Sequence, residues 1–418
     1  KLRRDIYWHD GRRLSARDVA QALERARTAP ESLRRDELAA VSQVEVSDDQ
    51  TVLLRTERAY GPLPSRLTNI FISRPGPEGT AEIGTGAYRV AAWVPGGDTV
   101  LEAVPGHRAG PTVPRIEVKA VPEAAERVRR LRTGEADLIG DVPADDWRRL
   151  GGEARVRTMA TRGLRVVLLG LNCGPHDWNT PSRPNPFRDV RVRRAAALAV
   201  DRQALVQGPL GGFAEAIDQI VPPEVFGYDR TVPARPHDPE TARRLLREAG
   251  YAGGFDVDLD YVPGRYRAIE EVTEAVSQDL GQVGIRCRLR PSGGEAFLDR
   301  VRRHQTSLYI IGIIGITGDA AWAYGWMLHT PRAGYGGING GAFSDEGLDR
   351  LIEDATVPLA PRERQRLHFA AAHRVYEQVP VIPLYRQTDL YAMSRDLAFE
   401  PRLDRRLDGA GLRWLTAR

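Results

Sequence analysis

Two apolar spacings alternate along the chain. After Ser15, Val19, Leu23 and Ala26 form a stripe at helical spacing with Asp18 in the first turn, which predicts a helix capped by Ser15. Val44 and Val46, then Thr51, Val52, Leu53 and Leu54, with Asp48 and Asp49 between, predict a hairpin with an acidic turn. Pro62, Pro64, Pro75 and Pro77 fill the next interval with loops. Tyr88, Val90 and Trp93 lead to a second hairpin around Pro95, Gly96 and Gly97. Ile116, Val118 and Ala120 predict a strand, 123–133 a helix and 136–139 a further strand; that order is the unit of a parallel sheet.

The segment 164–202 organises the rest. LRVVLLGL at 164–171 is short, apolar and bounded by turns, and predicts a buried strand ending at Asn172. Gly174, Pro175, Asn179, Pro181, Ser182, Pro184 and Pro186 follow, and prolines at this density exclude regular structure. Val190, Val192, Ala196, Leu198, Ala199 and Leu205 then recur at helical spacing, so the strand leads through a rigid loop into a new domain. DPETARRLLREAG at 238–250 is a helix stopped by glycine, and Phe255, Val257 and Leu259 alternate as a strand. A helix over 269–283 and alternation at Ile285, Cys287 and Leu289 complete a second α/β unit. A buried strand over 308–316, amphipathic helices over 348–355 and 362–378, and late strands over 381–384 and 390–393 follow.

Composition narrows the classes. At roughly 150 residues per domain, 418 residues imply two or three domains. No apolar run approaches the ~18 residues of a membrane-spanning helix. The 60 basic and 56 acidic residues are interspersed, so a net charge of +4 does not describe a nucleic-acid surface. Cys173 and Cys287 are too few for a metal cage; they either pair in an oxidising compartment or remain buried thiols. The eight histidines are scattered, and neither a Gly-x-Ser-x-Gly elbow nor a His-Glu-x-x-His helix is present. His9 and Asp10 are adjacent, and adjacent side chains of an extended segment point to opposite faces. No catalytic residues, metal ligands or cofactor are therefore expected. Lys1 to Asp5 offer no apolar signal region, and the first residues read as a strand entering a turn at His9 to Gly11, as if the chain began inside a longer one.

Eight stretches in order carry a resemblance. They are WHDGRRLSARDVAQALER (8–25), GTGAYRV (84–90), LRTGEADLI (131–139), FRDVRVRRAAALAVDR (187–202), IVPPEVFGYD (220–229), HDPETARRLLREAGY (237–251), FSDEGLDRLIEDA (343–355) and VPVIPLY (379–385). In this the chain resembles the family 5 extracellular solute-binding proteins of ABC importers, which include dipeptide, oligopeptide, nickel and some oligosaccharide binders. The resemblance implies an α/β, two-lobed periplasmic-binding-protein-like fold of the class II type, with an extra small domain and a hinge between the lobes. Residues 1–108 would form the small domain without its N-terminal part, 109–172 with 387–418 lobe one, and 173–386 lobe two. It further implies a monomeric periplasmic or extracytoplasmic protein, lipid-anchored if the missing N-terminal segment carries an anchor. Such a protein closes its lobes on a small-molecule ligand and delivers it to the permease subunits in the membrane.

The ligand is expected at YIIGIIGITGDAAWAYGW (309–326), where a buried strand leads to Asp319 and then Trp322, Tyr324 and Trp326. Aromatic rings stack on sugars or side chains, and a loop carboxylate takes an ammonium or hydroxyls; the competing reading is that the rings pack a core. In the dipeptide binders this loop carries an acid that takes the peptide's amino terminus. Counted from Thr317, that position falls on Trp322, a departure that favours an oligosaccharide or other neutral polar compound over the alternative, an oligopeptide or dipeptide. His329, Tyr335 and Asn339 follow in a glycine-rich loop without a phosphate-binding fingerprint. Asn172 either reaches the ligand or caps a loop. A hydrolase on an α/β scaffold and a sensor that signals without transport are the rival classes.

Overall fold

A computed structural model describes residues 1–76, 82–176 and 183–416. Pro77, and Asn179, Pro181 and Ser182 of the proline-rich loop, lie outside the described residues. The chain forms two compact units, one of Lys1–Arg58, Leu63–Thr161 and Asp389–Arg418, the other of Ala59–Pro62 and Arg162–Thr388.

In the first unit, helix α1 (Ala16–Thr28) opens with a reciprocal cap: the Ser15 hydroxyl accepts from the Asp18 N–H and the Asp18 carboxylate from the Ser15 N–H. Val19 and Leu23 of α1 pack with Leu38, Val41 and Ile70 over the antiparallel pair β1 (Val41–Asp48) and β2 (Thr51–Thr56), and α2 (Leu63–Leu67) follows. Strands β3 (Tyr88–Trp93), β4 (Thr99–Ala103) and β5 (Arg115–Val118) form an antiparallel sheet. Then come α3 (Ala124–Thr133), which stops at Gly134 in the left-handed region, β6 (Leu138–Ile139) and α4 (Ala144–Leu150). The expected parallel strand-helix-strand unit here does not form. β5 pairs antiparallel with β4 and β6 pairs antiparallel with Ala392 and Met393. Three of the four β5 residues are exposed, whereas a parallel strand needs both faces covered.

Strand β7 (Val156–Leu171) begins in the first unit and passes into the second between Thr161 and Arg162. In chain order the second unit then adds α5 (Val190–Ala199), α6 (Arg202–Gln207), β8 (Ala214–Ala216), α7 (Pro239–Glu248), β9 (Phe255–Tyr261), α8 (Ile269–Gln282), β10 (Ile285–Pro291) and α9 (Gly294–Arg302). β11 (Leu308–Ile314), α10 (Ala320–Met327), α11 (Glu346–Asp354), α12 (Pro361–Gln378) and β12 (Val381–Ser394) follow. The strand order is β10-β9-β11-β7-β12, with β8 on β12. β9, β10 and β11 run parallel, and β7 runs antiparallel to β11.

Both faces of this sheet are covered. Val167, Leu169 and Leu171 of β7 pack with α5, α7 and α8, and Val166 and Leu168 with Phe297, Tyr324 and Ala371 from the other side. That is why the segment reads as continuously apolar rather than alternating. The late strands, expected as two, are one 14-residue strand, β12. Arg386, Gln387 and Asp389 interrupt its apolar pattern, yet all are buried, and Tyr385 to Gln387 pair with β8.

Gly170 faces Tyr309 across the β7–β11 pair, and a Cβ there would fall within the tyrosine ring. Gly170→Ala is expected to lower unfolding stability by about 1–3 kcal/mol, as overpacking does. Gly253→Ala, with nothing within 4 Å and no positive φ, serves as the neutral control in the same denaturant titration.

Candidate functional site

In an open sheet with parallel strands, ligands bind outside the carboxyl ends of the strands. Here β9, β10 and β11 finish at Tyr261, Pro291 and Ile314, and Ile314 pairs with Arg165 of β7. The same edge is where β7 enters and β12 leaves the second unit. Arg386, 1% exposed, pins it: Nε donates to the Gly163 carbonyl at 2.7 Å and Nη2 to the Arg162 carbonyl at 2.9 Å, while the guanidinium pairs with Glu224 at 2.8 Å.

One flank of the edge is the loop after β11. Asp319 caps α10 by accepting from the Ala321 N–H at 3.0 Å, and both its oxygens accept from Arg364 Nη2, at 3.0 and 2.7 Å. Arg364 also donates Nε to the Ala355 carbonyl at 3.0 Å and lies over the Phe226 ring at 5.1 Å. His368, 1% exposed, puts Nε2 3.6 Å from Asp319 Oδ1, and neither ring nitrogen has a hydrogen-bond partner. Burial pushes the His368 pKa down to about 4, with Arg364 reinforcing and Asp319 opposing. Gly61, from the Ala59–Pro62 segment, donates its N–H to the Thr356 carbonyl at 2.7 Å and leaves no room for a Cβ beside Arg364.

The other flank is built around Tyr266, just after β9. Its hydroxyl accepts from the Gly312 N–H at 2.7 Å and from Arg265 Nε at 3.1 Å, and the guanidinium carbons of Arg165 and Arg265 lie 5.5 and 5.8 Å from its ring. Arg267 Nη1 donates to the Phe213 carbonyl at 3.4 Å. Tyr385 of β12 is fully buried, its hydroxyl has no hydrogen-bond partner, and burial raises its pKa. The cations of Arg165 and Arg267 act on the same phenol in the opposite sense.

The residues singled out in the sequence divide between the two edges. Asp319 stands at the carboxyl edge, in the loop where it was expected, but its carboxylate is engaged by Arg364. Trp322 and Trp326 sit one turn apart on α10 with ring centroids 5.0 Å apart, both half-buried. Tyr324 points inward, 1% exposed, edge-on to His368 at 6.2 Å. His329 is buried, with Nε2 2.9 Å from Glu353 and its ring stacked on Tyr335 at 4.2 Å. Asn339 donates to the His329 and Phe343 carbonyls and accepts from the Phe343 N–H. Asn172 lies at the far end of β7, beside Leu308 at the start of β11. Ten residues at roughly 3.3 Å each separate it from Arg162, about 33 Å. Its amide donates to the His304 and Thr306 carbonyls and accepts from Gly174, so the geometry there is that of a loop cap.

The sequence did not point to Arg364, His368, Arg165, Tyr266, Arg267 or Tyr385. The first two look like ordinary members of a long helix, and the others gain meaning only when β7, β12 and the segment after β9 come together. Among the described residues no group of three or more His, Cys, Asp or Glu side chains is arranged to hold a metal, and no helix is long and apolar enough to cross a membrane. Cys173 and Cys287 are free, and burial pushes their thiols up to about 11 and about 12.

An α/β sheet with helices on both faces and a loop-built carboxyl edge defines a scaffold for holding a ligand. The profile of the bacterial extracellular solute-binding proteins, family 5 (middle), matches residues 1–335, and the chain belongs to that family. The glutathione-binding protein GsiB of Salmonella choleraesuis (strain SC-B67) is 25% identical over 413 residues, covering 95% of this chain and 78% of the relative. Among solved structures, AgaA of A. tumefaciens R10 in complex with agropinic acid superposes with a TM-score of 0.79 at 21% identity, covering 100% of this chain and 86% of that one. DppA of Helicobacter pylori in complex with the peptide STSA gives 0.78 at 18% identity, covering 99% and 86%. The fold is therefore the two-lobed periplasmic-binding-protein fold anticipated from the sequence, and the protein is a solute-binding protein and not an enzyme. Proteins of this family are periplasmic or extracytoplasmic.

His368 makes stability depend on pH. Its folded pKa of about 4 lies below its unfolded value near 6.5, so the unfolded chain binds the proton first. The stabilisation is complete above about pH 6.5 and is lost as pH falls towards 4, by on the order of 3 kcal/mol. Urea unfolding at pH 7.5 and 4.5 should give a smaller difference for His368→Gln than for the parent chain; equal differences would remove His368 as the cause.

Proposed function

We propose that this protein captures a small peptide-like solute bearing a free carboxylate and delivers it to the permease subunits of an ABC importer. The observation that carries the reading is the carboxyl edge of the second unit, where Arg165 and Arg265 flank Tyr266 and the charges of Arg165 and Arg267 act on the buried phenol of Tyr385. Guanidinium groups recognise carboxylates through charge-assisted hydrogen bonds, whereas a neutral sugar offers them no charge. The relatives support the same direction, being named for glutathione, a peptide and agropinic acid. The oligosaccharide preference drawn from the sequence rested on the missing acid at Trp322, and it gives way to the peptide alternative. That missing acid bears on how an amino terminus is held, not on whether a carboxylate is.

In this reading Arg267 and Arg165 anchor the carboxylate, Trp322 supplies an apolar face to a side chain, and Asp319 holds its loop through Arg364 instead of touching the ligand. Capture follows the mechanism of the family: a ligand that binds the closed form better shifts the population towards it.

A thermal-shift screen with glutathione, di- to tetrapeptides with free and amidated C-termini, and oligosaccharides tests the proposal. A ligand at ~100 times its Kd stabilises by about 2.7 kcal/mol. Free-acid peptides are expected to stabilise and their amides to lose at least about tenfold in affinity. Arg267→Gln should erase that difference between acid and amide. A sugar hit without a peptide hit, or equal binding of acid and amide, would overturn the reading. Asp319→Asn is expected to act on folding instead, costing about 3–5 kcal/mol by leaving Arg364 buried without its partner.

A further inference from the structure

We propose that the second unit carries a separate site for a small oxyanion at the opposite edge of its sheet, in a cleft lined by Arg188 and Arg193. The cleft has a volume of about 410 Å³, and its walls include Cys173, Phe343, Asp345 and Gln378. It lies beyond the start of β11, where Cys173 donates its N–H to the Gly341 carbonyl. Some 30 Å of strand β7 therefore separate it from the carboxyl edge.

Arg193 is the reason for assigning a ligand to this cleft. It is 5% exposed, yet no carboxylate forms an ion pair with it among the described residues. Its Nε donates to the Gln378 carbonyl at 2.8 Å, and Nη1 donates to the carbonyls of Phe187 and Arg188 at 2.8 and 2.9 Å. The Phe343 ring lies 5.7 Å from its guanidinium carbon. These contacts fix the plane of the guanidinium and leave Nη2 with no acceptor among the described residues. A buried cation whose direct hydrogen bonds all go to carbonyls, one of them at the C-terminal end of α12, is costly unless an anion completes it.

The carboxylates whose field reaches Arg193, those of Asp189 and Asp345, are each ion-paired with another arginine. Arg188 is exposed, and its side chain has no hydrogen bond or ion pair among the described residues. Asp345, the acid on the wall, is engaged by Arg374 at 2.6 and 2.9 Å and caps α11 through the Leu348 N–H at 2.7 Å. Arg188 and Arg193 thus present two positive charges, one exposed and one held in a fixed plane. A phosphate, or the carboxylates of a small organic acid, would accept from Arg193 Nη2 and from Arg188 together and would tie the loop before α5 to the end of α12.

The test titrates the full chain with inorganic phosphate, citrate and chloride at fixed ionic strength by isothermal calorimetry. Phosphate or citrate should bind saturably and chloride should not; phosphate alone would mark inorganic phosphate as the source, and citrate alone an organic acid. Arg188→Gln is expected to weaken that binding by at least about tenfold while leaving the affinity for the carboxyl-edge ligand unchanged. Arg267→Gln should leave oxyanion binding intact. Arg193→Lys retains the charge but loses the fixed plane, and should also weaken it. Absence of saturation, equal heats with chloride, or an Arg188→Gln chain that binds like the parent would overturn the assignment.

Discussion

The second unit depends on one constraint, the complete burial of β7 from Val166 to Leu171. Every position on that stretch has a packed layer on its side of the sheet, so each must be apolar or, where Tyr309 lies across it, lack a side chain. At roughly 1.5–3 kcal/mol for each large aliphatic side chain taken out of water, these few residues supply a large share of what fixes the register of β11 and β12. Register in turn fixes the edges. A slip of one residue would exchange the two faces, sending Arg165 to the side of Asp319 and Leu164 to the side of Tyr266.

At the edges, where apolar packing ends, arginine takes over. Arg386 holds two carbonyls of the neighbouring strand and a carboxylate, Arg364 holds Asp319 and a carbonyl, and Arg193 holds three carbonyls. A lysine ammonium could not satisfy such planar sets of acceptors, because its three donors do not form a fork. Lysine is scarce in the chain, occurring only as Lys1 and Lys119, and arginine takes every one of these positions. For Arg386 and Arg364 the cost of burial is met by carbonyls and carboxylates already committed to the fold, so those two are withdrawn from ligand chemistry.

The elements were legible where a single periodicity governs them. The Ser15 cap, both hairpins, α7, α8 and the strand at 164–171 follow from local spacing, because each buries one stripe or one continuous run. β12 reads as two strands because Arg386, Gln387 and Asp389 interrupt its apolar run; only the partners across the sheet explain why polar residues continue a buried strand. The parallel unit expected over 116–139 failed for the converse reason, since the local order was right and the second covering layer was absent. The resemblance over eight motifs reached the family correctly, because order along the chain carries information that no single motif does.

The candidate site was legible only as a loop. Asp319 and the tryptophans announce themselves by residue type, but type does not reveal that Arg364, 45 positions on, already occupies the carboxylate. Nor does it reveal that Arg165 of β7, Tyr266 after β9 and Tyr385 of β12 converge. Residue type favours groups with conspicuous chemistry, and those are the groups a fold most needs to satisfy internally once they are buried. At the carboxyl edge the conspicuous acid is spent on its own loop and the inconspicuous arginines carry the electrostatics. Under the proposed function, the preference drawn from one missing acid gives way to a carboxylate-bearing ligand: losing a partner for an ammonium does not make a site neutral when cations stand beside it.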